Sequence, residues 1–155
     1  MEEMERKLEK AKELLAQKDT TFACILQNGE VYTSEKKGIA PIMDQMKIDR
    51  EFFRGTVAAD RFLGKAAAML LIDSGVCMVY GETISEHAKT ALEQQQKQTD
   101  GAFSYQCRTV VPYIINRTKT GMCPMEKAVL DVTDPKDAFD ILKEALARMA
   151  QAKKA

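Results

Sequence analysis

Val76-Cys77-Met78-Val79-Tyr80-Gly81-Glu82-Thr83-Ile84-Ser85-Glu86 is the stretch whose reading decides the fold. Val76 to Tyr80 is apolar throughout and has the length of a strand. A run without polar alternation is what a strand buried on both faces requires, the usual condition of a parallel sheet. Gly81 to Ile84 reads as a tight connection. Ser85 then offers a side-chain oxygen to the free N–H groups of a helix start, and Glu86 in the first turn suits the helix dipole. That helix extends to about Gln96.

Upstream, residues 2–17 place Met4, Leu8, Ala11, Leu14 and Leu15 on one stripe among charges, the pattern of an amphipathic helix. Thr21–Gln27 and Glu30–Ser34 flank Asn28-Gly29. That pairing signals a β-hairpin closed by a type I′ turn. Gly38 ends the hairpin. Residues 40–47 read as a short helix with Pro41 in its first turn, and 48–55 as a connection. Thr56–Ala59 is a brief apolar segment. Asp60 precedes a helix over about 61–73 whose apolar positions nearly encircle it, which predicts a central buried helix.

Downstream, residues 97–101 form a polar loop and Phe103–Arg108 a strand, extendable to Val111. Pro112–Asn116 fits either an extended segment or one helical turn. Arg117–Met122 is a polar loop, Cys123-Pro124 opens a helix of two turns, and Thr133-Asp134-Pro135 caps a last helix over about 136–150. A hairpin followed by alternating helices and strands predicts a mixed sheet covered on both faces, a three-layer α/β/α sandwich. The 155 residues contain no repeat or linker, so residues 1–155 are expected to form a single domain.

Composition narrows the classes of function. Lys and Arg number 23, and so do Asp and Glu, so the formal charge is zero. Basic residues are interleaved with acidic ones, which argues against nucleic acid as a partner. The longest apolar stretch, Ala66–Ile72, is far too short to span a bilayer. Cys24, Cys77, Cys107 and Cys123 contain no C-x-x-C pair and His87 is the sole histidine. No zinc ligand pairing is recognisable, and no cofactor is implied. The N-terminus is charged and mixed in sign, unlike a secretion signal. A cytoplasmic protein with reduced thiols is expected.

Three segments can carry chemistry, because open α/β sheets bind ligands beyond the carboxyl ends of their parallel strands. In Asp60–Lys65, Asp60 is either a helix N-cap or a carboxylate at a cleft, able to act as a base. Gly64 reads as an interior helix glycine kept for close packing, and Lys65 as a cation reaching the cleft. Gly81–Ser85 is the second segment. In Asn116–Glu126, the densest polar stretch, Arg117 and Lys119 stand among Thr118, Thr120 and Gly121, next to a helix start that suits a phosphate or carboxylate. Cys123 there is either a nucleophile or a small buried cap. His87, near a helix start, reads as a solvated or helix-packed residue. Cys24, Cys77, Cys107 and the nine methionines read as core residues.

The stretches Val57-Ala58-Ala59-Asp60, Gly64-Lys65-Ala66-Ala67-Ala68 and Val111-Pro112-Tyr113-Ile114-Ile115-Asn116-Arg117-Thr118-Lys119-Thr120-Gly121-Met122-Cys123-Pro124-Met125-Glu126 resemble an uncharacterised prokaryotic domain-of-unknown-function family grouped by structure with cytidine-deaminase-like proteins. The resemblance covers about residues 4–147. It implies a core running helix, hairpin, helix, strand, helix, strand, helix. Zinc deaminases carry His-x-Glu at the start of the second helix and Pro-Cys-x-x-Cys at the start of the third. On the reading above those places fall near Asp60-Arg61-Phe62 and Glu82–Ser85, and neither pattern is there. The resemblance also implies self-association.

Two site readings and one assembly reading follow. In the first, a zinc-independent enzyme acts on a nucleotide-like or other anionic substrate. Asp60 is its base and Cys123 its optional nucleophile. Lys65 and Arg117 hold the anion, and Asn116, Thr118, Thr120 and Glu126 complete the binding residues. In the second, the same cleft binds a small molecule without converting it. In the third, the surface mainly makes homo-oligomers.

Overall fold

The structure, a computed structural model, describes residues 2–116 and 118–154. Helix α1 (Glu2–Leu15) buries Leu8, Ala11 and Leu15, the stripe expected from the spacing. Strands β1 (Phe22–Ile25) and β2 (Val31–Ser34) pair antiparallel. Their turn is not type I′. Leu26 N–H bonds to Glu30 O and Gly29 N–H to Leu26 O. Only Gly29 has positive φ, at 92°. This is a three-residue loop with glycine in the left-handed position, the other common way to close a hairpin. Asn28 contributes its side chain instead, accepting the Glu30 N–H at 2.9 Å.

Helix α2 (Ala40–Met46) follows, with Pro41 in its first turn. Then come β3 (Val57–Leu63), α3 (Lys65–Asp73), β4 (Met78–Ser85), α4 (Glu86–Gln98) and β5 (Ser104–Val111). The chain ends with α5 (Pro124–Ala128), a 3-10 turn (Pro135–Asp137) capped by Asp134, and α6 (Ala138–Lys154). Sheet order is β2-β1-β3-β4-β5, with β1 antiparallel to β3 and β3, β4 and β5 mutually parallel. The single α/β domain is therefore a five-stranded mixed sheet flanked by helices. Ala59 and Ile25 pack with Ala11 and Leu15 of α1. Their neighbours Ala58 and Cys24 pack into the main core with α2, α3, α4 and α6. Successive strand residues point to opposite faces, so α1 covers one face and the other helices the opposite one. Among the described residues no helix is long and apolar enough to cross a membrane.

Two expectations change here. The segment from Thr56 does not stop at Ala59, because β3 continues through Asp60 to Leu63 and the helix starts at Lys65 rather than 61. Gly81–Ile84 is not a connection but the second half of β4. Both errors have one cause. Ala58 and Leu63, five apart, face the same core, as do Val79 and Ile84. Strict alternation would put residues five apart on opposite faces. The faces therefore slip by one residue in both strands, and the paired register passes over Arg61 and Glu82. Gly81 sits at this bend, where a Cβ would run into the Ile84 side chain. Arg61, Glu82 and Arg108 cross β3, β4 and β5 along the same line, joined by ion pairs of 3.1 and 3.7 Å. A bent strand with a glycine and three polar residues looks like a loop in sequence, yet its backbone stays paired.

Candidate functional site

The three candidate segments converge on one carboxylate. Glu126 is buried, only 1% exposed. Its Oε2 accepts the backbone N–H of Lys65 at 2.6 Å and the hydroxyl of Ser85 at 2.5 Å. Its Oε1 accepts the N–H of Ile114 at 2.8 Å. Lys65 opens α3 and Ser85 caps α4, its Oγ also accepting the Ala88 N–H at 3.0 Å. Glu126 thus sits where β3 and β4 deliver the chain into their helices, on the positive ends of two helix dipoles. The chain's own carboxylate thus occupies the starts of α3 and α4, whereas the helix start expected to suit an anion is that of α5.

Gly64 is the N-cap of α3 rather than an interior helix residue. A Cβ on it would lie 2.9 Å from Glu126 Oε2 and 3.1 Å from Ile114 Cγ1. The glycine is therefore needed for the close approach of this carboxylate.

Asp60 stands inside β3 and is not a helix cap. It is 5% exposed. Burial pushes its carboxyl up to about 8, opposed by backbone N–H bonds from Phe62 and Arg61 and by the Arg61 charge. The Arg61 N–H also donates to Thr21 O of the neighbouring chain segment at 3.1 Å, so Asp60 shares that donor with a backbone carbonyl.

Asn116, Thr118 and Thr120 bond mainly to one another. Asn116 Oδ1 accepts the Thr120 N–H at 3.0 Å and the Thr118 hydroxyl at 3.2 Å, and the two hydroxyls lie 2.8 Å apart. They close a loop above the Ile115–Met122 bridge; Pro112 and Tyr113 bend the chain, Ile114–Asn116 pairs with Gly121–Cys123, and no helical turn forms. Cys123 precedes the five-residue helix α5, with no side-chain capping bond, and its N–H bonds to Ile114 O at 2.7 Å. Arg117 lies outside the described residues.

An open groove of about 300 Å³ lies at Lys65, whose backbone N–H donates to Glu126. Helices α3 and α4 run in the same direction, because each leaves a strand of the parallel set. They form the floor, with Lys65 and Met69 from α3 and His87, Thr90, Gln94 and Gln98 from α4. The segment from Leu130 to Pro135 forms the other wall. Lys65 Nζ donates to Leu130 O at 2.8 Å, which ties that wall to the floor. Desolvation lowers the Lys65 ammonium from its usual range, while Asp131 and Glu126 act in the opposite direction. None of the described lining residues is acidic. Among the described residues no three His, Cys, Asp or Glu side chains gather to hold a metal ion.

Sequence reasoning placed Lys65 near a ligand site but missed the α4 side of the groove. His87, Thr90, Gln94 and Gln98 recur at helical spacing, so the signal was present. Taken alone, such a polar stripe reads as a solvated face.

Comparison with known proteins agrees with the architecture. A family model described as "Domain of unknown function (DUF1893)" matches residues 10–146. The crystal structure of a DUF1893 family protein (TM1506) from Thermotoga maritima is similar to this chain at 22% identity. The match covers 92% of this chain and 90% of that one, with a TM-score of 0.75. No curated protein matches the sequence.

Proposed function

We propose that this chain, which belongs to the DUF1893 family of domains of unknown function, is a binding module that holds a small anionic ligand in the groove between α3, α4 and residues 130–135 and does not convert it. The observation that carries this reading is Lys65. Its ammonium stands half-buried in the groove and donates to Leu130 O, with donor capacity to spare. His87 stands on the same lining, and the nearby Asp131 and Glu126, which act on the Lys65 charge, do not line the groove.

An enzyme reading has less behind it. Asp60 lines no described groove, and a general base must come within hydrogen-bond reach of its substrate. Cys123 has no hydrogen-bonded base beside it among the described residues.

The observed succession α1, hairpin, α2, β3, α3, β4, α4 supports the cytidine-deaminase-like reading of the fold. Counted this way, the second helix begins at Ala40 and the third at Lys65. The places for the zinc patterns are then Ile39–Ile42 and Gly64–Ala67, not Asp60–Phe62 and Glu82–Ser85. Neither place holds a His, Cys or Glu, so the residues there do not fit a zinc ion.

The test is thermal stabilisation by a panel of inorganic phosphate, AMP, glutarate and short peptide acids, on wild type and Lys65→Gln. A ligand at a hundredfold excess over Kd adds about 2.7 kcal/mol, roughly 5–11 °C for a domain of this size. At least one probe stabilises wild type, leaves Lys65→Gln unmoved, and is recovered chemically intact. No shift with any probe, or equal shifts in both proteins, overturns the binding reading. Conversion of the probe restores the enzyme reading.

A further inference from the structure

Resting on that reading of the groove, we infer that its ligand is the C-terminal end of an extended peptide. Lys65 and His87 take the terminal carboxylate, and Thr90, Gln94 and Gln98 pair with the peptide groups behind it. Three observations converge on this.

The first is where the charge lies. Lys65 is the first residue of α3, and His87 is in the first turn of α4. Because the two helices are parallel, both cationic or protonatable groups stand at the same end of the groove. The remaining polar lining consists of hydroxyls and amides. A ligand that matches has one anionic head and an uncharged, hydrogen-bonding body.

The second is spacing. Thr90, Gln94 and Gln98 all line the groove at four-residue steps along α4. Each step is about 6 Å at 1.5 Å per residue. An extended peptide repeats its same-side groups every two residues, about 6.6 Å. A glutamine amide carries both a donor and an acceptor, as a peptide group does. Gln94 and Gln98 therefore present paired donor–acceptor groups at nearly the repeat of a strand, and Thr90, whose hydroxyl donates to Glu86 O at 3.1 Å, adds an acceptor.

The third is the opposite wall. Leu130 and Val132 there are apolar, and side chains alternate along an extended chain. Aliphatic side chains of the ligand therefore meet this wall while its peptide groups meet α4. From His87 to Gln98 the floor is about 16 Å long, the span of four to five extended residues.

The experiment titrates acetyl-Ala-Ala-Val-Leu, as free acid and as C-terminal amide, into the full chain by calorimetry. The acid saturates one site and the amide binds at least tenfold more weakly. In Lys65→Gln the two bind alike. In a Gln94→Leu, Gln98→Leu double variant both weaken tenfold or more and their ratio stays. Equal binding of acid and amide to wild type, an unchanged ratio in Lys65→Gln, or no effect of the glutamine changes overturns the inference. If the peptides fail while phosphate or AMP still gives Lys65-dependent stabilisation, the groove reading stands and the peptide inference falls. If nothing binds, both fall. A peptide with a free amino terminus separates two sources. Equal affinity for the acetylated form points to a protein tail, and a need for the free amine points to a short free peptide. Either result supports the carboxylate-headed chain.

Discussion

Glu126 caps the helix that Lys65 begins, although 61 positions separate them. The backbone N–H of Lys65 donates to Glu126 Oε2 at 2.6 Å, and Gly64 leaves the space for it. A helix start normally draws its cap from the residue just before it. Here the preceding residue is a glycine with no side chain to offer, and the cap arrives from the far side of β5.

Gly64 and Glu126 are coupled by this contact. A Gly64→Ala methyl would press on the carboxylate and on Ile114, costing about 1–3 kcal/mol. In a Glu126→Ala background half of that obstruction is gone. A double-mutant cycle by urea denaturation therefore shows a non-additivity of about 1 kcal/mol or more. Strict additivity would mean the carboxylate moves aside freely.

Ser85→Ala removes two bonds at once, the cap on Ala88 N–H and the donor to Glu126. A lost cap and a buried acceptor left one donor short together cost about 2 kcal/mol. For a chain of this length that is roughly 4–8 °C in Tm. A Tm within 1 °C of wild type, about the error of the measurement, would contradict the placement of this hydroxyl. Ser85→Thr keeps both functions and tests whether the loss is chemical rather than steric.

Asp60 makes stability depend on pH in a defined window. Burial lifts its carboxyl to about 8, against about 3.9 in an unfolded chain. Between those values the folded protein holds a proton that the unfolded chain has released. Its contribution is full below about pH 4 and is lost progressively as pH rises to about 8. Asp60→Asn keeps an acceptor for the Phe62 and Arg61 N–H groups without the titration. The fall in urea midpoint from pH 5 to pH 8 is therefore smaller in the variant than in wild type. Parallel falls would remove Asp60 as its source.

Cysteine accessibility divides the four thiols. Cys24 is fully buried on β1, and burial pushes its thiol up to about 12. Cys77, Cys107 and Cys123 are partly exposed. Alkylation of the native protein at pH 8, read by peptide mass, modifies those three well before Cys24, because the thiolate is the reacting form. Cys24 reacts only when urea unfolds the chain. Early labelling of Cys24 would mean that β1 opens locally.

Local chemistry made parts of the fold legible. The α1 stripe, the Asn28-Gly29 hairpin, the Ser85 cap and Pro124 in the first turn of α5 are each decided by a few neighbouring residues. What could not be read depends on distant contacts. Asp60 looked like a helix cap because a buried carboxyl in a strand makes sense only once the bend at Arg61 supplies its donors. Gly81 looked like a turn because Ile84 folds over it only in the bent strand. The candidate site shows the same division. That Lys65, Ser85 and Glu126 belong to one region followed from strand-end reasoning. That Glu126 is spent on the two helices, and that Thr90, Gln94 and Gln98 share a groove with Lys65, requires the path of residues 112–135.

That path has a consequence for the order in which the molecule is completed. All five strands are in hand by Val111. The groove's outer wall, Leu130 to Pro135, and the carboxylate that closes α3 and α4 both come later in the chain. A ribosome delivers the finished sheet first and the groove wall afterwards. A nascent chain halted after β5 would have its scaffold but neither the carboxylate that caps α3 nor the groove's outer wall. In this protein the sheet is translated before the residue that caps one of its helices.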